Sequence, residues 1–393
     1  MTCRRLLLFA LSLGLFLTAL VPAYAEQRVV DLTASDGTKL KATYFAAAKP
    51  GPGVLLLHQC NRQRKVWDGL AEQLSAAGIN VLTFDYRGFG ESGGKPEAQL
   101  TPREVGAQRA KWTGDIDVAF EYLISQPGVN KEMIGVGGAS CGVDNSVQTA
   151  LRHPQSVHSL VLLSGQTDLR GRQFLRNSTQ APEFFAAADD DEFGGTVTII
   201  EWQYYITGNP GKRYVHYATG GHGADMFRLH PELIKQITDW YVTTLVKTPG
   251  HAPDVKEAFK PSEEVRVLSM IDQPGGPAKV SQILDESLAK DPKTKLFDQG
   301  TVNIMGYELL AAGDTKSAVE VMQLNVKAYP NSPNAYDSLG DAYFAAGQRQ
   351  KALEATKKTL ELLPTDTTDP QQLKDAIKAS ADGKLEQLGA TEP

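Results

Sequence analysis

The stretch Gly138-Ala139-Ser140-Cys141-Gly142 decides how the rest of the chain is read. It follows residues 133–137, a short apolar run with strand character, and opens residues 141–153, whose spacing predicts a helix. A nucleophile on a turn this sharp has strained backbone geometry. Small flanking residues are required there because strand and helix approach closely. The competing reading is a glycine-rich strand–helix loop that cradles a phosphate. No basic residue lies in the pentapeptide to support it.

On both sides of this turn, strands and helices alternate. Residues 28–32 and 39–45 read as a hairpin closed by Ser35-Asp36-Gly37-Thr38. Residues 54–58, 79–84, 157–163, 183–188 and 213–218 read as strands. Residues 66–77, 115–124 and 231–246 read as helices, the first stopped by Gly78. Such alternation predicts an α/β fold: a mostly parallel sheet with helices on both faces, and the hairpin as an antiparallel edge.

Several motifs in chain order carry a family likeness. They are the strand ending in Leu57-His58, the turn Asp85-Tyr86-Arg87-Gly88-Phe89-Gly90-Glu91-Ser92, the Ser140 pentapeptide, Asp191 and His222. Across about residues 28–247 the chain resembles the α/β-hydrolase superfamily, and within it the dienelactone hydrolase-like esterases. The resemblance implies an acyl-enzyme serine hydrolase for carboxylic esters, with Ser140 as nucleophile, His222 as base and Asp191 as acid, and with no cofactor or metal. A peptidase or amidase of the same fold is the alternative, as is a catalytically inactive binding protein.

The residues themselves support these roles. Serine needs a base, and His222 lies in the loop Gly220-Gly221-His222-Gly223 after the last strand. His58 ends a strand and reads as structural, and His216 sits within one. His153, His158, His230 and His251 fall near helix ends or in the linker and read as solvated. The acid comes from Asp189-Asp190-Asp191-Glu192, where the family register selects Asp191. Asp189, Asp190 and Asp168 are the alternatives. The residue after the nucleophile, Cys141, supplies one backbone N–H to the oxyanion. The family match points to Cys60 for the second, although Gln59 stands where the family has glycine. Cys60 and Cys141 therefore converge on one oxyanion, and they are expected either to form a disulfide or to stay as two buried thiols. A frame shifted to make Cys141 the nucleophile puts Val143 where a small residue is needed.

Residues 164–182 leave little room for a lid, which predicts an open site for small or medium acyl groups. Lys95, Arg103, Arg109 and Lys111 either flank the pocket and favour anionic substrates or form a solvated surface.

The 393 residues exceed one ordinary domain. A net charge of −6 without a basic block argues against nucleic acid as a partner. Arg4 and Arg5, the apolar residues 6–21 and Ala23-Tyr24-Ala25 read as a signal peptide over 1–25, which predicts export to a periplasmic or secreted location with no membrane span after cleavage. An uncleaved anchor is the alternative. Cleavage removes Cys3 and leaves Cys60 and Cys141 in a compartment that permits a disulfide.

Four segments follow: the signal at 1–25, a hydrolase domain at 26–247, a linker rich in proline and glycine at 248–262, and a helical-repeat domain at 263–393. In the last, residues 305–330 align with residues 339–364 at an offset of 34. The pairs include Gly306/Gly340, Ala311/Ala345, Gly313/Gly347, Ala318/Ala352 and Pro330/Pro364. This period resembles tetratricopeptide repeats. Residues 276–292 read as part of an earlier, degenerate unit, and residues 371–388 as a capping helix that covers an open end. Such repeats imply a protein partner or self-association, or a domain that only packs on the hydrolase.

Overall fold

The computed structural model describes residues 27–179, 181–252 and 259–389. The predicted signal at 1–25 lies outside the described residues, as do 253–258 of the linker. Eight strands form one sheet: β1 (Gln27–Thr33), β2 (Lys39–Phe45), β3 (Gly51–Leu57), β4 (Asn80–Phe84), β5 (Val129–Ala139), β6 (Val157–Leu163), β7 (Glu183–Ala188) and β8 (Lys212–Tyr217). Their order is β1-β2-β4-β3-β5-β6-β7-β8. The β1–β2 and β2–β4 pairs are antiparallel, and all others are parallel. Continuous apolar runs such as Val54-Leu55-Leu56-Leu57 are buried throughout, as strands covered on both faces require.

Among the described residues, eight α-helices accompany the sheet: α1 (Asp68–Ala76), α2 (Pro102–Arg109), α3 (Trp112–Ser125), α4 (Cys141–Arg152), α5 (Leu169–Asn177), α6 (Thr196–Ile206), α7 (Met226–Leu229) and α8 (Glu232–Tyr241). Leu70 and Leu74 of α1 and Leu233, Ile237 and Trp240 of α8 pack one face of the sheet. Phe120 of α3, Val147 of α4 and Ile200 of α6 pack the other. The predicted helix over 231–246 is α8 followed by a π-helical turn, Val242–Lys247.

The parallel register aligns the strand ends. Leu57 pairs with Gly138, Ala139 with Leu163, and Leu163 with Ala186. The chain leaves β3 toward β4 on one side and returns as β5 on the other. Such a reversal opens a crevice at the carboxyl ends of the strands.

Seven more α-helices follow among the described residues: α9 (Glu263–Ile271), α10 (Gly276–Lys290), α11 (Gln299–Ala311), α12 (Thr315–Ala328), α13 (Pro333–Ala345), α14 (Arg349–Leu362) and α15 (Gln371–Leu388). Starts and ends of α11 and α12 recur 34 residues later in α13 and α14. A Cβ on Gly306 would lie 2.7 Å from Met322, and one on Gly340 would lie 3.3 Å from Thr356, so the same close helix crossing occurs twice. The helices share a core with the sheet domain: Trp202 and Ile206 of α6 pack with Val265, Leu268 and Ile271 of α9. At this seam Arg172 donates to Asp272 Oδ1 at 3.1 Å, to Glu308 Oε2 at 2.7 Å and to the Thr167 carbonyl at 3.0 Å. Arg176 holds the other Asp272 oxygen at 2.6 Å.

Candidate active site

Ser140 occupies the turn between β5 and α4 with φ 54° and ψ −121°. Such a backbone is costly for a residue with a side chain and persists only where its surroundings enforce it. The flanking glycines show how. A Cβ on Gly138 would sit 1.9 Å from the Gly142 carbonyl oxygen, and one on Gly142 would sit 2.3 Å from that of Leu57. Any larger residue at either position would push α4 off the sheet.

The acidic run after β7 divides its work. Asp189 Oδ1 pairs with His216 at 2.8 Å. Asp190 Oδ1 accepts from the N–H groups of Gly220 and Gly221 at 2.7 and 2.8 Å, which pins the loop leading to His222. Asp191 Oδ2 lies 2.7 Å from His222 Nδ1, and its Oδ1 accepts from the Phe193 N–H at 3.0 Å. A carboxylate on Nδ1 fixes the proton there and leaves Nε2 as an acceptor. That Nε2 is buried and has no partner. Asp168 has a different job: it caps α5, accepting from the Gly171 N–H at 2.8 Å.

Cys60 and Cys141 form a disulfide, with Cα atoms 5.9 Å apart. It ties the loop after β3 to the first residue of α4. Gln59, beside it, is fully buried. Its amide donates to the His222 carbonyl at 3.2 Å, and its Oε1 accepts from the Ala224 N–H at 2.8 Å. The residue that departs from the family pattern therefore clamps the histidine loop. His58 accepts from the Tyr86 N–H at Nε2 (3.1 Å) and donates from Nδ1 to the Gln59 carbonyl (2.8 Å). Burial lowers its pKa to about 4, so it is a neutral strut.

Ser140, Cys141 and His222 line one cleft of about 730 Å³. Ser164, at the end of β6, lines it too. With φ 46° it shares with Ser140 the only positive φ values of non-glycine residues among the described residues. Its hydroxyl is buried without a partner. Nothing in the sequence distinguishes it from an ordinary loop serine.

Two expectations need correction, and one open alternative is decided. Among the described residues of 164–182 there is no large lid, only α5, but the cleft gains a wall from elsewhere in the chain. Asp298, Thr301, Ile304 and Glu308, on or beside α11, form the far wall of the cleft. Nor does a basic cluster surround it. Of Lys95, Arg103, Arg109 and Lys111, only Arg109 lines the cleft, and it is paired with Glu97 at 2.7 Å. Lys111 pairs with Asp36 instead. Nor is His230 simply solvated, because its ring stacks on Tyr217.

A family model described as serine aminopeptidase, S33 matches residues 48–187, the span from β3 through β7 that contains the Ser140 turn. The chain has the α/β-hydrolase fold. The match ends before Asp191 and His222. Among curated proteins, a thiohydrolase of Aspergillus aculeatus is 32% identical over 114 residues, or 28% of this chain and 33% of that protein. An uncharacterized protein of Mycobacterium tuberculosis is 32% identical over 144 residues, or 36% of this chain and 47% of that protein. The chain thus spans a third to a half of the length of these relatives. Among solved structures, dienelactone hydrolase from Anabaena variabilis has a TM-score of 0.47 at 19% identity, covering 56% of this chain and 99% of that one. An esterase of Pyrococcus furiosus has a TM-score of 0.44 at 20% identity, covering 56% and 91%.

Proposed function

We propose that this protein is an exported serine hydrolase that cleaves carboxylic esters through Ser140, His222 and Asp191. The observation that carries the reading is the Asp191–His222 pair at 2.7 Å, with an unpartnered Nε2, in the cleft that Ser140 lines. Ser140 Oγ attacks the ester carbonyl and passes its proton to His222 Nε2, while Asp191 stabilises the imidazolium. The N–H groups of Cys141 and Cys60 receive the oxyanion. His222 returns the proton to the departing alcohol, and water then releases the acid by the same steps.

Cys141 is no competitor as nucleophile, because its sulfur is in the disulfide. That bond also supports export, since it needs an oxidising compartment. The description of the matching family model favours an amide as the second substrate class. We regard the helices as tetratricopeptide-like on their 34-residue recurrence. A docking or self-association role for them is tested by the oligomeric state of the full chain in solution.

The test of the main reading is covalent labelling by a fluorophosphonate. Wild type is labelled and Ser140→Ala is not, and hydrolysis falls at least about 10³-fold in the variant. Equal labelling of both proteins, or of neither, overturns it. A panel of p-nitrophenyl esters, thioesters and aminoacyl amides then ranks the bond cleaved.

A further inference from the structure

Two large apolar side chains face the cleft with much of their surface uncovered. Phe193, 55% exposed, stands against the His222 ring with centroids 4.4 Å apart. Ile304, 43% exposed, comes from α11 in the C-terminal helices. Exposed apolar surface inside a concave site is what ligand pockets present to the uncharged part of their ligands. Most of the charge around it is negative, and Arg109, which also lines the cleft, is paired with Glu97. Asp144, Asp168 and Asp298 line the same cleft. Asp144, one helical turn beyond Ser140, has its pKa raised by burial, with the Asp168 charge adding to the effect. Its polar contacts are the hydroxyl of Thr167, the backbone N–H of Asp168 and the amide of Gln148, with no cation among them.

The wall bearing Ile304 is fixed rather than hinged. Glu308, one turn further along α11, is held by Arg172, which is itself buried and lies 4.7 Å from the Trp202 ring centre. The α6–α9 core locks the same seam.

We infer that α11 is the substrate-selecting wall of the site, and that the cleft takes an uncharged ester whose apolar chain lies between Phe193 and Ile304. The helical region thereby does the work of a cap, although it follows the whole sheet domain in sequence. The inference deepens the hydrolase reading and rests on it for the chemistry at Ser140. Chain length is read at Ile304, and the carboxylates repel anionic acyl groups.

The test separates binding from turnover. In full-length Ser140→Ala, affinity is measured by calorimetry for methyl butyrate, methyl hexanoate, methyl octanoate and the anion of monomethyl succinate. Affinity should rise about two- to four-fold for each added methylene that enters the apolar gap. Monomethyl succinate should bind at least about ten-fold more weakly than methyl butyrate. Adding Ile304→Ala should flatten the chain-length slope, and adding Ile304→Trp should reverse it for the octanoate. Ile304 is at the surface, so unfolding midpoints should stay within about 2 °C of the parent and confirm folding. The inference is overturned if both Ile304 variants keep the parent slope, or if the anion binds as well as the neutral ester. Failure of the hydrolase reading has a different signature, the absence of fluorophosphonate labelling in wild type.

Discussion

Two buried polar clusters in this molecule are built alike and end differently. At the cleft, Asp191, His222 and Gln59 hold one another through 2.7 and 3.2 Å contacts, yet His222 Nε2 is left without a partner. At the seam, Arg172 reaches Asp272, Glu308 and a carbonyl, and Arg176 takes the remaining Asp272 oxygen. Leaving a buried polar atom unpaired costs about 1–3 kcal/mol, so a fold keeps one only where something else compensates. The closed cluster is a joint, and the incomplete one lies at the centre of the proposed reaction. Glu183 limits this rule. Both of its carboxylate oxygens are buried without a hydrogen-bond partner at the start of β7, and neither lines the cleft.

The contrast can be broken at four points. Arg172→Ala should have the largest effect. It uncovers two carboxylates at the seam and should cost about 3–5 kcal/mol in a denaturant titration. If the seam is a joint for the cleft wall, the loss should also loosen ester binding. Replacing Cys60 and Cys141 by serine opens an 81-residue loop and should cost about 2–4 kcal/mol. Titration of the denatured, unreduced wild-type protein should find neither thiol reactive. Gln59→Leu removes the clamp on the His222 loop. It should lower kcat about ten- to hundred-fold with little change in KM, since the base is misplaced while the cleft walls stay. Gln59→Glu, which keeps the acceptor for the Ala224 N–H, should recover part of that loss.

The smallest effect is expected at Glu183. Burial raises its pKa well above the ordinary carboxylate range. A carboxyl whose folded pKa exceeds its unfolded one contributes stability that is full below the unfolded value and is lost as pH rises through the folded one. Glu183→Gln cannot ionise. It should therefore match wild type near pH 4 and exceed it by on the order of 1 kcal/mol at pH 8, as read from unfolding midpoints across that range.

The strands were legible where burial is continuous. Residues 157–163 and 183–188 are strands as read, because central parallel strands are unbroken apolar runs. The Ser140 turn was legible because close packing restricts its neighbours to small residues. Thr196–Ile206 gave no helical signal. Its β-branched and aromatic residues favour strands, and packing against β7 and α9 overrides that preference. Within Asp189-Asp190-Asp191, the three roles differ only in which loop atom each carboxylate meets, and composition carries no trace of that. Gln59 was visible only as a departure from a pattern. The cleft wall was not visible at all, because nothing local links Ile304 to Ser140.

That last arrangement has a consequence for how such a chain can change over time. The groups placed around Ser140 come from strand ends whose register, glycines and hydrogen bonds constrain one another, so nearly every substitution there is felt by several partners. Ile304 and Thr301 sit on a helix anchored elsewhere, by Arg172 and the α9 core. On the function proposed above, lineages can therefore exchange one substrate for another by altering a few exposed positions on α11, while the proposed reaction centre is inherited intact.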